Sequence, residues 1–95
     1  MTFDRDELDE MSIDAQRELR EGNADRAADL FRQLVAAWVG IEGPDGEAVL
    51  NWRGCVAQSL IVARRYTAAE KVLHQLLDDR ARVLGADHPS VLVAR

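Results

Sequence analysis

Apolar residues recur at three- and four-residue spacings along four stretches of the chain, the period of helices that each bury one stripe. The first helix is predicted from about Asp4 to Glu21, with Leu8, Met11, Ala15 and Leu19 as its stripe. Asp4 and Glu7 are spaced as an N-terminal capping pair, and Gly22-Asn23 supplies residues that tolerate the left-handed stop. A second helix, about Ala24 to Gly40, buries Ala27, Leu30, Phe31, Leu34, Val35 and Trp38. Gly43-Pro44-Asp45-Gly46 is a turn cluster, with Asp45 placed to cap the next helix. The third helix spans about Gly46 to Arg64 and carries Val49, Leu50, Val56, Ala57, Leu60 and Ile61 on one face. Thr67 and Glu70 read as a capping box for a fourth helix running to about Leu84, with Ala69, Val72, Leu73, Leu76, Leu77 and Leu84 inward. After Gly85-Ala86-Asp87, His88-Pro89-Ser90 predicts the start of a fifth helix, its proline in the first turn.

The second half of this pattern repeats the first. Ala27 falls on Ala69, Phe31 on Leu73, Leu34 on Leu76 and Val35 on Leu77, each pair 42 residues apart. The register survives the turn, since Gly43-Pro44-Asp45 falls on Gly85-Ala86-Asp87 and Val49-Leu50 on Val91-Leu92. A fixed period of this length predicts stacked repeats, which present a binding surface more often than a catalytic centre.

Composition narrows the picture. The chain is 95 residues long, room for one domain, with 47% apolar and 5% aromatic residues. An aliphatic, alanine-rich core suits close-packed helices, so the predicted class is all-α. The net charge of −5 and a single lysine, Lys71, argue against nucleic acid, which needs clustered cations. Six carboxylates lie among residues 4–14, a solvated helix face that could also steer a basic partner. No stretch approaches the ~20 apolar residues of a membrane span, and the acidic start lacks a signal-peptide core. One cysteine, Cys55, excludes an internal disulfide, so a reducing cytoplasm is the expected location. Abundant Arg, Ala, Val and Asp hints at a high-GC bacterial source.

Paired helices with a short Gly-containing turn, an early alanine and an aromatic four residues later resemble the tetratricopeptide repeat (TPR). The period of 42, longer than that family's 34-residue unit, resembles its kinesin-light-chain-like subclass, found in bacterial multi-repeat proteins. Residues 80–92, Arg-Ala-Arg-Val-Leu-Gly-Ala-Asp-His-Pro-Ser-Val-Leu, are similar to the inter-repeat linker of that subclass. The first unit departs from it: Asp14 and Glu18 stand where large apolar residues are usual, and Gly46-Glu47 replaces His88-Pro89. The resemblance implies a single domain over residues 1–95, antiparallel hairpins stacked as a short right-handed superhelix. The hairpins fall at about 4–40 and 46–84, with part of a third unit at about 88–95. It also implies a concave groove, lined by the first helix of each hairpin, that holds an extended peptide or a partner helix. Carried over by alignment, groove positions are Asp9, Ser12, Gln16, Leu19 and Arg20, then Asn51, Gly54, Gln58, Ile61 and Val62. Asn51 and Gln58 lie about two turns apart on one face, and their amides can bond both N–H and C=O of a bound backbone.

Other residues carry blander expectations. Arg20 is expected to pair with Glu21 or Asp25, and Asp87-His88 to set a helix start rather than catalyse. His74 is expected to be exposed or half-buried and Cys55 an inert packing residue. Trp38 and Trp52 are expected to pack on each other, with an exposed partner anchor as the alternative. Cys55, His74 and His88 lack metal-site spacing, and no cofactor motif or acid/base constellation emerges, so no metal, cofactor or enzyme activity is expected. The functional expectation is a protein-interaction scaffold. Two alternatives stand beside it: self-association through an apolar open end that includes Val91 and Leu92, or the N-terminal part of a longer bacterial TPR regulatory protein.

Overall fold

The computed structural model describes residues 4–84. Four helices and no strand occur among them: α1 (Arg5–Arg20), α2 (Ala24–Glu42), α3 (Glu47–Val62) and α4 (Tyr66–Leu84). Each packs against its neighbours in the chain, with α2 against α3 the most extensive contact. The result is two antiparallel hairpins joined through α2 and α3, an all-α stack of helices in the order the periodicity predicts. The expected fifth helix, with Val91, Leu92 and His88, lies outside the described residues, as does the side chain of Leu84.

Local chemistry sets the helix ends. Asp4 caps α1 as expected, its carboxylate accepting the Glu7 N–H at 2.8 Å. The two hairpin turns are built alike. After α1, the Gly22 N–H donates to the Leu19 carbonyl and Asn23 N–H to Glu18; after α3, Arg64 N–H donates to Ile61 and Arg65 N–H to Leu60. Both are Schellman stops, which require one left-handed residue. Gly22 supplies it at φ 89°, and one period later Arg64 adopts it at φ 64° despite its side chain.

Two expected caps are not there. Asp45 does not cap α3, because its carboxylate is taken by Arg82 of α4 at 2.7 and 2.8 Å. Glu42, the last residue of α2, reaches forward instead and accepts the Ala48 N–H at 3.0 Å. The N-cap position itself is Gly46, where a Cβ would collide with the Cβ and carboxylate of Glu42. The Thr67–Glu70 box also fails, because α4 starts one residue before Thr67 and places it within the first turn.

The core follows the stripes. Leu8 and Ala15 of α1, Ala27, Ala28, Phe31 and Leu34 of α2, Val56 and Leu60 of α3 and Ala69 of α4 form one buried cluster. Ala27 and Ala69 are both buried where a larger residue would hold the helices apart. Ile61 and Leu73 are exceptions: expected inward, they are 43% and 37% exposed. Phe31, one period before Leu73, is only 1% exposed because α3 lies over it. The same stripe is thus covered between the hairpins and open beyond α4.

Candidate partner-binding surfaces

The expected groove positions divide by depth. Asn51 and Gln58 are exposed on one face of α3, and Gln16 and Arg20 are exposed on α1. Ser12 is half-buried, its hydroxyl donating to the Asp9 carbonyl at 2.8 Å. Leu19 packs against the core. Gly54 looks toward α4, where a Cβ would meet Leu76 at 3.8 Å, an ordinary van der Waals contact. Ile61 and Val62 are exposed at the α3 terminus. The pairing expected for Arg20 is not formed among the described residues, since Asp25 is held by Arg65 through Nε at 2.5 Å and Nη2 at 3.3 Å.

A second surface, apolar and open, lies past the end of α3 along α4. It is a shallow groove of about 280 Å³ lined by Ile61, Tyr66, Ala69, Glu70, Leu73 and Leu77. His74 also borders it, with Nε2 at 3.5 Å from Glu70, both side chains over 70% exposed. A solvated His–Glu pair on an open face has no enclosed space in which to hold a reacting group.

The aromatic residues do not form the expected Trp–Trp pair. Trp52 stacks on Phe31, ring centroids 5.8 Å apart, across the α2–α3 interface. Trp38 lies under Arg5, whose guanidinium carbon is 5.7 Å from the ring centroid, and so ties α2 to the start of α1. Both also pack against the core.

An ion-pair network missed in the sequence braces the second hairpin. Asp79 of α4 accepts from Arg53 of α3 at 2.6 Å, from Arg82 at 3.2 Å and from Gln75 at 3.3 Å. Arg53 and Asp79 are largely shielded, at 18% and 16% exposure. The Arg53 hydrogen bond holds the Asp79 carboxyl below the usual carboxylate range; desolvation opposes the shift, while Arg82 and Gln75 add to it. Gln75–Asp79 and Asp79–Arg82 have helical spacings visible in the sequence, whereas nothing local links Arg53 to Asp79. Asp25 and Asp45 are likewise held low, by hydrogen bonds from Arg65 and Arg82. Burial pushes the Cys55 thiol up, away from the reactive thiolate. Ser59 is fully buried and donates back to the Cys55 carbonyl at 2.9 Å. Among the described residues no group of His, Cys, Asp and Glu could hold a metal ion, and no helix is long and apolar enough to cross a membrane.

These features define a class, an all-α stack of helix hairpins with polar and apolar surfaces open to a partner. Residues 49–90, 42 of the 95, match the family model of the tetratricopeptide repeat. The match begins two residues into α3 and takes in all of α4, so the second hairpin carries the likeness. The first hairpin shares its register and its stop geometry. No curated protein and no solved structure matches the chain. Tetratricopeptide repeats as a family mediate protein–protein interaction.

Proposed function

We propose that this protein is a non-catalytic scaffold that binds an extended peptide or partner helix along the polar faces of α1 and α3. The observation that carries this reading is the pair Asn51 and Gln58, exposed together on α3 inside the segment that matches the repeat family. Side-chain amides offer a donor and an acceptor each, which suits the backbone of a peptide without demanding one sequence. Gln16, one period before Gln58, extends the same chemistry to α1, and Arg20 adds a cation for a carboxylate. The period of 42 supports the kinesin-light-chain-like subclass, and the Arg-rich, single-cysteine composition supports a bacterial, cytoplasmic protein.

The test is to select binders from a random-peptide display library and measure them on wild type and on Asn51→Ala/Gln58→Ala. At about 1 kcal/mol per hydrogen bond, losing two weakens binding roughly tenfold to thirtyfold with helicity unchanged. Peptides that bind both proteins equally, yet lose affinity on Leu73→Asp, would overturn the assignment and move the site to α4.

The apolar groove along α4 favours a second reading, self-association through that end. A mass that doubles across a dilution series is its signature.

A further inference from the structure

The open face of α4 carries a pattern that complements its own reverse. Tyr66, Glu70, Leu73, Leu77 and Arg80 succeed one another at spacings of four and three, so they share one stripe of the helix. The first four line the apolar groove, and Arg80 follows one heptad after Leu73. Leu73 and Leu77 are centred on position 75, and so are Glu70 and Arg80. Turning the helix end for end about Gln75 therefore sets leucine on leucine and carboxylate on guanidinium. Both charges are open to an outside partner. Among the described residues, Glu70 has one ion-pair neighbour, His74 of its own helix at 3.5 Å. Arg80 is half-buried and forms no ion pair among the described residues, and its Nε is buried without a hydrogen-bond partner. A cation so placed favours a carboxylate brought from elsewhere. The opposite end of the molecule does not fit this face. Glu10, Asp14 and Glu18 of α1 fall one period before Trp52, Val56 and Leu60, with which α3 packs into the core shared with α2. Asp14 already pairs with Arg17 at 2.8 Å and Glu18 with Arg26 at 3.4 Å. Laying α1 of another copy on α4, as α3 lies on α2, would bury these charges against Leu73 and Leu77.

We propose that a second copy of the chain docks α4 against α4 in antiparallel orientation, about a twofold axis passing near Gln75. Leu73 of each copy then packs on Leu77 of the other, and Glu70 of each pairs with Arg80 of the other, so every contact is made twice. A parallel pairing would set Glu70 on Glu70 and Arg80 on Arg80, so charge selects the antiparallel one. An interface of this kind closes on itself and stops at a dimer, whereas head-to-tail docking through α1 would continue. The proposal rests on the self-association reading of this end and adds its orientation, register and stoichiometry.

The experiment is the solution mass of the full chain across a dilution series, for wild type and for charge variants of checked helicity. Wild type is expected to pass from monomer to dimer and no further. Glu70→Arg alone brings like charges together twice and is expected to weaken dimerisation roughly tenfold or more, and Arg80→Glu alone does the same. An equimolar mixture of the two single variants is expected to dimerise as wild type does, because each supplies the charge the other lacks. The combined Glu70→Arg/Arg80→Glu protein is expected to recover the wild-type affinity as well. A monomer at every concentration overturns this pairing together with the self-association reading. A dimer that is indifferent to Glu70→Arg, or that neither the mixture nor the combined variant restores, overturns the pairing and leaves self-association standing. Masses beyond the dimer overturn it in favour of head-to-tail assembly. If Arg80→Glu lowers helicity, the exposed Glu70→Arg decides alone, and an unchanged affinity there overturns the proposal.

Discussion

Arg64 pays a backbone penalty that Gly22, one period earlier, does not. A left-handed conformation costs a non-glycine residue about 1–2 kcal/mol, partly offset by the extra freedom glycine has when unfolded. Arg64→Gly is therefore expected to raise the unfolding free energy by roughly 0.5–1 kcal/mol, read from urea midpoints at constant slope. The reverse exchange, Gly22→Ala, lowers it by about 1 kcal/mol. At Gly46 the constraint is space: a Cβ meets the first side-chain carbon of Glu42, which cannot move without the end of α2. Gly46→Ala is expected to be destabilising and to release the Glu42 cap on Ala48, seen as faster amide exchange at the start of α3. Residues whose partners are local were legible, as with Asp4 and the glycine stop. Asp45 was not, because the same carboxylate that could cap α3 has a bidentate arginine 37 residues away, which no local rule anticipates.

Between elements, two contacts add to the shared core, the Phe31–Trp52 stack joining the hairpins and the Asp79 network joining α3 to α4. Phe31→Ala leaves a void under Trp52 and is expected to cost about 3–5 kcal/mol, enough to unfold a small chain. Asp79→Asn removes the acceptor for a shielded Arg53 and is expected to cost about 1–2 kcal/mol at neutral pH. The sign with pH follows from the lowered folded-state pKa of Asp79. Its stabilisation is complete above the unfolded value near ~3.9 and is lost as pH falls through the lower folded value. Stability curves of wild type and Asp79→Asn thus run parallel from pH 7 to about pH 5 and converge below about pH 4. Helix number, order and inward faces were readable from periodicity, since the stripes are long and the punctuation is clear. Which stripe residues end up covered was not, because Phe31 and Leu73 carry the same local pattern and differ only in what lies above them.

For the whole molecule, the 42-residue echo was the readable feature, and it carried the architecture and the likeness to the repeat family over residues 49–90. The candidate site was legible only through that echo. Asn51 and Gln58 are ordinary polar residues until the hairpin places them on one exposed face. The apolar α4 groove was foreseeable as an open end, but its lining needed the structure, because Tyr66 and Glu70 replace two small buried alanines of the first unit. The 42-residue period has a further consequence. Because the sequence register repeats every 42 residues, residues 43–84 form one cassette of the repeat. Duplicated in tandem after Leu84, the cassette would bring a second copy of Trp52 over Leu73. Length in this molecule is a whole-number quantity, and insertions of any other size would break it.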